Sequence, residues 1–207
     1  MSFADELEKV LPADLPNRDR VIAKSAEHLE RILEANRSFN LTRIISPREA
    51  AIKHVLDSVL PWRHFSEAQT ILDAGTGAGF PGIPLAIVLP DIQFLLSESV
   101  QKKTRFVEAV VLHLGLSNVE VSSGRAEEIL RDRRVNLITA RAVAPLTRAI
   151  ELFGPAIKRG SRALFYKGPD PATEITGAQK PPFKLRIVER YELPDHLGAR
   201  TIVDVSS

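Results

Sequence analysis

The segment from Ile71 to Gly82 constrains the fold of this chain more than any other part of the sequence. It reads Ile-Leu-Asp-Ala-Gly-Thr-Gly-Ala-Gly-Phe-Pro-Gly, an apolar strand followed by glycines at every second position. Glycine accepts positive φ angles, and because it has no Cβ it lets a ligand approach the main chain closely. A strand, a glycine-rich turn and a following helix are typical of an α/β sheet that binds a nucleoside cofactor.

Asp73, two residues before Gly75, indicates which kind of cofactor the loop favours. A carboxylate at this place repels the pyrophosphate of a dinucleotide and attracts a cation, so the loop favours S-adenosylmethionine, a sulfonium. Two alternatives stay open: residues 77–82 match the bare Gly-x-Gly-x-x-Gly pattern of dinucleotide sites, and the glycines could merely form a tight turn. A Walker loop is excluded because no Gly-Lys-Ser/Thr follows the glycines.

A second carboxylate, Glu98, strengthens the prediction of a cofactor site. It ends the next apolar stretch, Ile92 to Leu96, and lies 23 residues after Gly75. In a doubly wound sheet, a carboxylate at the end of the second strand accepts hydrogen bonds from the ribose hydroxyls, and a spacing of about 20 residues is expected. The alternative for Glu98 is a solvated strand end.

The composition excludes several classes of protein. Among the 207 residues there is no cysteine, which excludes disulfides, thiolate metal sites and iron–sulfur clusters. No apolar run approaches the roughly 20 residues of a membrane span, and Met1 to Val10 alternates charged and apolar side chains, unlike a signal peptide. We therefore expect a cytoplasmic protein that needs no metal and has no membrane partner.

The net charge of +2 conceals an uneven distribution. Residues 101–169 contain 13 Lys and Arg but only 6 Asp and Glu, whereas residues 1–100 contain 10 and 14. This excess predicts one basic face, the electrostatic signature of nucleic-acid binding. The alternative is ordinary surface charge, which would also account for the cluster of Arg131, Arg133 and Arg134.

The pattern of apolar residues divides the chain into two parts. Residues 1–66 are predicted to form a helical cap, with amphipathic helices at 4–11, at 17–38 and from Pro47 to about His64. Residues 67–207 are predicted to form the cofactor-binding core, in which strands and helices alternate. Such alternation indicates an α/β, Rossmann-like, mostly parallel sheet with helices on both faces.

The end of the chain departs from this alternation. Two extended stretches at 184–191 and 200–205 have no long helix between them, so we expect an antiparallel hairpin at one edge of the sheet. Residues 169–182 contain several prolines and are predicted to form a surface loop.

Basic side chains follow three successive strands of the predicted sheet. They are Arg125, Arg141 and Lys167. Because ligands of open α/β sheets bind at the carboxyl ends of the strands, these residues predict a basic entrance for the substrate, although each alone could be a solvated surface charge. Of the five histidines, we expect most to be structural, and His54 is the candidate for lining the site.

Several short motifs follow one another along the chain. They are Phe39-Asn40-Leu41-Thr42, His54-Val55-Leu56-Asp57-Ser58, the loop from Asp73 to Gly82, Lys102-Lys103-x-Arg105-Phe106, Arg125-Ala126-Glu127-Glu128, Arg141-Ala142-Val143-Ala144 and Lys167-Gly168. Their order closely resembles the bacterial small-subunit ribosomal RNA guanine-N7 methyltransferase G family, also called the glucose-inhibited division protein B family. The resemblance covers nearly the whole chain.

This resemblance implies a class I methyltransferase fold and transfer of a methyl group from S-adenosylmethionine to N7 of guanine-527, in the 530 loop of 16S ribosomal RNA. The implied partner is 16S ribosomal RNA or the small subunit, with no DNA partner, and the protein is expected to be a monomer. The family pattern implies cofactor contacts by Gly75, Phe80, Ala126, Glu127 and Arg141, to which the loop and strand arguments add Gly77 and Glu98. The chain departs from the family at Ala35, where a tryptophan is usual, and at Val203 to Ser207.

The residues themselves also narrow the reaction. Methylation of cytosine at carbon 5 needs a cysteine nucleophile, which is absent. Exocyclic amines are usually held by an Asn/Asp-Pro-Pro-Tyr/Phe turn after the fourth strand, where this chain has Ala140-Arg141-Ala142-Val143. N7 of guanine carries a free lone pair, so the enzyme must position it more than deprotonate it. Arg125 and Arg141 are the predicted catalytic residues, donating to phosphate or to guanine O6; neither can be a base.

Two other function classes remain open at this point. A small-molecule methyltransferase of the same fold would have an enclosed apolar pocket under the cap. A binding module would keep the cofactor pocket without turnover.

Overall fold

The computed structural model describes residues 2–142 and 144–207. Over these residues a sheet of seven strands runs in the order β3-β2-β1-β4-β5-β7-β6. The strands are β1 (Thr70–Ala74), β2 (Gln93–Glu98), β3 (Val119–Ser123), β4 (Leu137–Arg141), β5 (Arg162–Lys167), β6 (Lys184–Glu192) and β7 (Ala199–Ser206).

The first five strands are parallel, so their carboxyl ends meet at one edge of the sheet. β7 pairs antiparallel with both β5 and β6, which confirms the predicted mostly parallel sheet with an antiparallel hairpin at its edge. The strand order reverses direction between β1 and β4, and this is the switch point at which open α/β sheets bind ligands. The loop after β1 starts at this point.

Helices cover both faces of the sheet. They are α1 (Phe3–Val10), α2 (Arg18–Asn36), α3 (Pro47–Ala50), α4 (Asp57–Val59), α5 (Gly82–Val88), α6 (Gln101–His113), α7 (Ala126–Asp132), α8 (Leu146–Lys158) and α9 (Ala172–Ala178). The last of these corrects the prediction of a surface loop at 169–182. Its first turn is held by the backbone N–H of Ile175, which donates to the carbonyl of Pro171 at 2.8 Å.

The first two helices form because capping and burial agree. The hydroxyl of Ser2 accepts from the N–H of Asp5 while the Asp5 carboxylate accepts from the N–H of Ser2, a reciprocal cap at the start of α1. Leu7 of α1 and Leu29 of α2 are buried in the same hydrophobic core as Ile83 of α5. The helical cap therefore shares its core with the sheet. The division of the chain into two domains at residues 66 and 67 stays a prediction.

The third predicted helix is irregular. A π-helical segment, Ala51–Leu56, separates α3 from α4, and a 3₁₀ turn follows at Trp62–His64, where the sequence predicted one continuous helix. π-helical turns widen the backbone and occur frequently at functional sites. This one carries His54 on its buried side.

Candidate cofactor and substrate site

The glycine loop joins β1 to α5 and is fixed to the neighbouring strand. The N–H of Thr76 donates to the carbonyl of Ser97 at 3.0 Å. Gly75 and Gly77 have φ angles of 67° and 64°, a conformation that other residues rarely adopt. A Cβ added at Gly77 would meet only the Gly75 carbonyl oxygen, at 4.0 Å. The main chain is therefore open to a ligand at Gly77, as predicted for a cofactor cradle.

Asp73, in β1, holds the loop in shape through its side chain. Its carboxylate is fully buried, and Oδ2 accepts from the Thr76 hydroxyl at 2.6 Å and from the N–H of Gly82 at 2.9 Å. Burial raises the pKa of Asp73 to about 6, although these hydrogen bonds oppose the shift. The sequence indicated only an electrostatic role for Asp73; its hydrogen bonds to Thr76 and Gly82, which hold the loop in shape, were not predicted. Oδ1 is buried and has no hydrogen-bond partner among the described residues.

Glu98 connects the end of β2 to the loop. Its side chain is 6% exposed, and its two oxygens accept from the N–H of Gly77 at 3.1 Å and from the N–H of Val100 at 2.8 Å. A carboxylate has about four lone-pair positions, so both oxygens retain capacity for ribose hydroxyls. The structure thus brings Glu98 to Gly77; its contact with ribose stays a prediction.

The predicted adenine side lies next to Glu98. β2 pairs with β3 so that Glu98 is opposite Ser123, and the N–H of Gly124 donates to the Glu98 carbonyl at 3.0 Å. Ala126 and Glu127 follow at once in the first turn of α7. Arg125 precedes them with a side chain that is 69% exposed, and its guanidinium is 4.0 Å from the Glu127 carboxylate.

Phe80 is the centre of a ring stack that joins the glycine loop to the cap. The imidazoles of His28 and His54 both stack on its ring, with centroid distances of 4.7 Å and 4.6 Å. His28 Nε2 is 2.7 Å from the Ala78 carbonyl, and His54 Nε2 is 3.2 Å from the hydroxyl of Thr42. Burial lowers the pKa of His28 to about 4 and that of His54 to about 3, the latter helped by Arg141. Both rings are therefore neutral at physiological pH.

Arg141 reaches from the end of β4 into the cap. Its Nη1 donates to the Lys53 carbonyl at 3.0 Å, to Asp57 Oδ2 at 3.2 Å and to the Ser58 hydroxyl at 3.3 Å, and its guanidinium lies 5.6 Å from the Phe80 ring centre. The side chain is only 16% exposed. Arg141 thus lies beside Phe80, but it is anchored by the cap and is not a free cation at the mouth of the site. The cofactor contact that the family pattern implied for it stays a prediction.

Sequence comparison decides which family this arrangement belongs to. The chain matches the family described as rRNA small subunit methyltransferase G over residues 21–201. The ribosomal RNA small subunit methyltransferase G of Solibacter usitatus is 60% identical over 209 residues, covering 99% of this chain and 100% of that protein. The protein of the same name from Carboxydothermus hydrogenoformans is 36% identical and covers 83% of this chain and 77% of its own.

The chain belongs to the rRNA small subunit methyltransferase G family. This confirms the resemblance drawn from the motifs, and it identifies the protein as an S-adenosylmethionine-dependent methyltransferase.

Solved structures of other methyltransferases share the fold of this chain. The O-methyltransferase TomG from Streptomyces achromogenes, in complex with S-adenosylmethionine, superposes with a TM-score of 0.59 at 20% identity, covering 87% of this chain and 90% of its own. An O-methyltransferase from Bacillus cereus, in complex with S-adenosylhomocysteine, gives 0.59 at 19% identity, with 87% and 91% covered. At these identities the likeness concerns the fold, which is the class I methyltransferase sheet that the sequence predicted.

The basic residues of 101–169 lie at more than one edge of the sheet, and a single basic face stays a prediction. Lys167 is 12% exposed and lies 2.7 Å from Glu174, and Arg141 is paired with Asp57 at 3.2 Å. Arg125, 69% exposed and 4.0 Å from Glu127, is the least engaged of the three strand-end cations. The Arg133 and Arg134 pair lines a cavity of about 320 Å³ beside the start of β4, at the opposite edge of the sheet. Arg133 is also paired with Glu120 there. Folding therefore divides the positive charge between two edges.

Within residues 2–142 and 144–207, no group of three or more histidine or acidic side chains is arranged to hold a metal ion. Helices in this same part of the chain are too short or too polar to cross a bilayer.

Proposed function

We propose that this methyltransferase modifies N7 of guanine-527, in the 530 loop of 16S ribosomal RNA, as naked RNA or within the small subunit. The proposal places the enzyme in the cytoplasm as a monomer that acts on RNA and not on DNA. The names of the relatives support an RNA substrate, and the chemistry of the site supports a ring nitrogen.

The observation that carries the choice of atom is the state of the ionisable groups around Phe80. His28 and His54 are buried with lowered pKa values, and the hydrogen bonds of Asp57 and Glu98 already engage their carboxylates. A general base works best with a pKa near the working pH, so the two imidazoles are poor bases. Asp73, whose pKa is raised to about 6, is fully buried beneath the glycine loop and cannot reach an RNA base. The site therefore suits an acceptor atom that loses no proton.

N7 of guanine is such an acceptor. When bound, S-adenosylmethionine supplies an electrophilic methyl group: the bond from carbon to N7 forms as the bond to sulfur breaks, the electron pair stays on sulfur, and the positive charge passes to the imidazole ring of guanine. No proton moves. The protein's contribution is alignment, which alone can account for a large part of a rate enhancement.

The chain's own residues divide this alignment between them. Gly75 and Gly77 leave the main chain open to the cofactor. Glu98, with Ala126 and Glu127 in the first turn of α7, holds the nucleoside. Phe80 and Arg141 border the opposite end of the cofactor site. Arg125, exposed next to Glu127, is positioned to donate to an RNA phosphate.

The test is to follow the methyl group. The protein is incubated with S-adenosylmethionine tritiated in the methyl group and with small subunits, naked 16S RNA or an extract of metabolites. The modified RNA is then treated with borohydride and aniline. We expect label in RNA and cleavage at one guanine of the 530 loop, because a fixed charge on the imidazole ring labilises the glycosidic bond after reduction. Labelled RNA without an aniline-sensitive guanine would exclude N7, and label only in metabolites would indicate a small-molecule enzyme.

A control variant separates methyl transfer from contaminating activity. Gly77→Val places a branched side chain at a φ of 64° and in the open space of the cradle. The variant preparation should transfer no label to any of the three substrates. Residual label would come from another enzyme in the preparation.

A further inference from the structure

The segment between α2 and α3, residues 37–46, borders an open cavity on the surface of the cap. The cavity has a volume of about 700 Å³ and is lined by Asn36, Asn40, Leu41, Thr42, Arg43 and Ile45. It is far larger than a single water-filled gap and large enough for a nucleobase with part of its sugar. Nothing in the cofactor-binding role described above uses these residues.

Asn36 holds the segment in one shape. Its Oδ1 accepts from the N–H groups of Leu41 at 2.8 Å and Thr42 at 3.3 Å, while its amide nitrogen donates to the Thr42 carbonyl at 2.9 Å. The Thr42 hydroxyl in turn accepts from the N–H of Ile44 at 3.1 Å. A segment with this many internal hydrogen bonds is a preformed surface, which reduces the entropic cost of binding.

The segment lies between the ring stack on Phe80 and α6. On one side Thr42 contacts His54, which stacks on Phe80, so one imidazole separates the segment from the glycine loop. On the other side Phe39 contacts Phe106 and Lys102 of α6, the helix that begins directly after Glu98 and its neighbours. If the adenosine lies at α7 as proposed, the methyl-donor end of the cofactor would face this side of the site.

Two polar side chains at the cavity are free to bind a ligand. Asn40 and Arg43 are exposed, and among the described residues neither has a hydrogen-bond or ion-pair partner. Ile45, an apolar side chain that is 54% exposed, completes the lining. An amide, a guanidinium and an exposed apolar surface are the groups that recognise an unstacked RNA base.

We propose that this cavity receives the guanine that is methylated, with Asn40 reading the base and Arg43 holding an adjacent phosphate. The Asn40 amide carries a donor for O6 and an acceptor for N1–H of guanine. Arg43 is assigned to phosphate because a guanidinium that donated to N7 would occupy the lone pair needed for the reaction. Ile45 packs on the face of the ring. This inference rests on the proposed function and names the substrate site within it.

The test compares guanine with adenine at the target position of 16S RNA. Adenine also has a lone pair at N7 but lacks O6 and N1–H. Single-turnover methyl transfer is measured for the wild type, Asn40→Ala, Arg43→Ala and the control Arg20→Ala, which removes an exposed cation from α2 of the same cap. Affinity for S-adenosylhomocysteine is measured by calorimetry for each variant.

We expect Asn40→Ala to reduce the ratio of guanine to adenine rates about tenfold, as expected for loss of hydrogen bonds to the base, with cofactor affinity unchanged. Arg43→Ala should weaken RNA binding without changing the ratio, and Arg20→Ala should change neither. An unchanged ratio in Asn40→Ala, or a loss of cofactor affinity that accounts for the slower rate, would overturn the inference while the proposed function stands. If the wild type transferred no methyl group to RNA, the proposed function itself would fail and this inference with it.

Discussion

Asp57 Oδ2 lies 3.2 Å from Nη1 of Arg141, and this contact ties the end of β4 to the cap. The Asp57 side chain is 1% exposed and also accepts from Nε of Arg200 at 3.1 Å and from the hydroxyl of Tyr191 at 3.1 Å. One buried carboxylate thus pairs with two arginines, from β4 and β7. The position of Arg141 beside Phe80 depends on it.

Removing this carboxylate should therefore affect both stability and cofactor binding. We expect Asp57→Ala to lower the free energy of unfolding by about 3 kcal/mol, because two guanidinium groups lose their buried partner, and to weaken binding of S-adenosylhomocysteine. Urea unfolding and calorimetry measure the two effects. Asp14→Ala, which breaks an exposed ion pair with Arg63, is the control and should cost at most about 1 kcal/mol. Equal losses in the two variants would contradict the prediction.

Gly77 and Gly82 lie five positions apart, and alanine at the two sites should have different effects. At Gly77 a Cβ has open space, so Gly77→Ala should keep the fold at a cost of about 1–2 kcal/mol for the positive φ and lower the affinity for S-adenosylhomocysteine at least about tenfold. At Gly82 a Cβ would collide with Leu96 Cδ2 and lie 2.7 Å from Asp73 Oδ2. Gly82→Ala should lose stability by overpacking.

These two variants are compared by thermal unfolding and by titration with S-adenosylhomocysteine. A stable Gly77→Ala protein with the affinity of the parent would show that the ligand does not approach the main chain there.

The stack of His28 and His54 on Phe80 should make the fold sensitive to acid. The unfolded chain protonates these rings as the pH falls through 6.5, whereas the folded chain does so only near its pKa values of about 4 and about 3. The stability that the neutral rings provide is thus present above pH 6.5 and is lost as the pH falls below it. Between pH 7.5 and 5 each ring should account for about 2 kcal/mol of the loss.

Asp73 opposes part of this trend. Its pKa is raised to about 6, so the folded chain takes up a proton earlier than the unfolded one and gains stability as the pH falls from 6 toward 3.8. The net change should still be a loss, since two rings act against one carboxylate. Urea unfolding from pH 7.5 to 5 measures it, and His54→Gln should show a shallower dependence on pH. A variant with the same dependence would mean that His54 is protonated in the folded state.

Arg125 and Lys167 should differ in their contribution to RNA binding. The Arg125 side chain is 69% exposed, whereas Lys167 is 12% exposed and paired with Glu174. Each phosphate contact contributes about one unit to the dependence of log K on log salt. We expect Arg125→Ala to reduce that slope by about one, with Lys167→Ala nearly unchanged. Filter binding at several salt concentrations distinguishes the two, and equal slopes for both variants would place the RNA elsewhere.

The sheet and its glycine loop could be predicted because their signals are local. Alternating apolar segments indicate the parallel strands, and the spacing from Gly75 singled out Glu98, whose carboxylate the structure brings to the loop. Its contact with ribose stays a prediction. The hairpin of β6 and β7 follows from the absence of a long helix between two extended stretches. Each of these inferences uses residues within about 30 positions of one another.

The cap side of the site could not be predicted in the same way. The ring stack joins residues 28, 54 and 80, and the Asp57 cluster joins residues 57, 141, 191 and 200, so each depends on the packing of distant segments. The π-helical segment that turns His54 toward Phe80 has no recognised signature in the sequence. The excess of Lys and Arg over Asp and Glu in residues 101–169 can be read from the sequence. The edge of the sheet at which each cation lies depends on whether it precedes or follows its strand.

The hydrophobic core that runs from Leu7 and Leu29 in the cap to Ile83 and Leu96 in the sheet has a calorimetric consequence. Neither part can melt while the other keeps its shape, because melting of one exposes the apolar face of the other. Heating should therefore produce a single endotherm whose calorimetric and van't Hoff enthalpies agree. A peptide cut between residues 66 and 67 should leave two fragments that fold only when mixed.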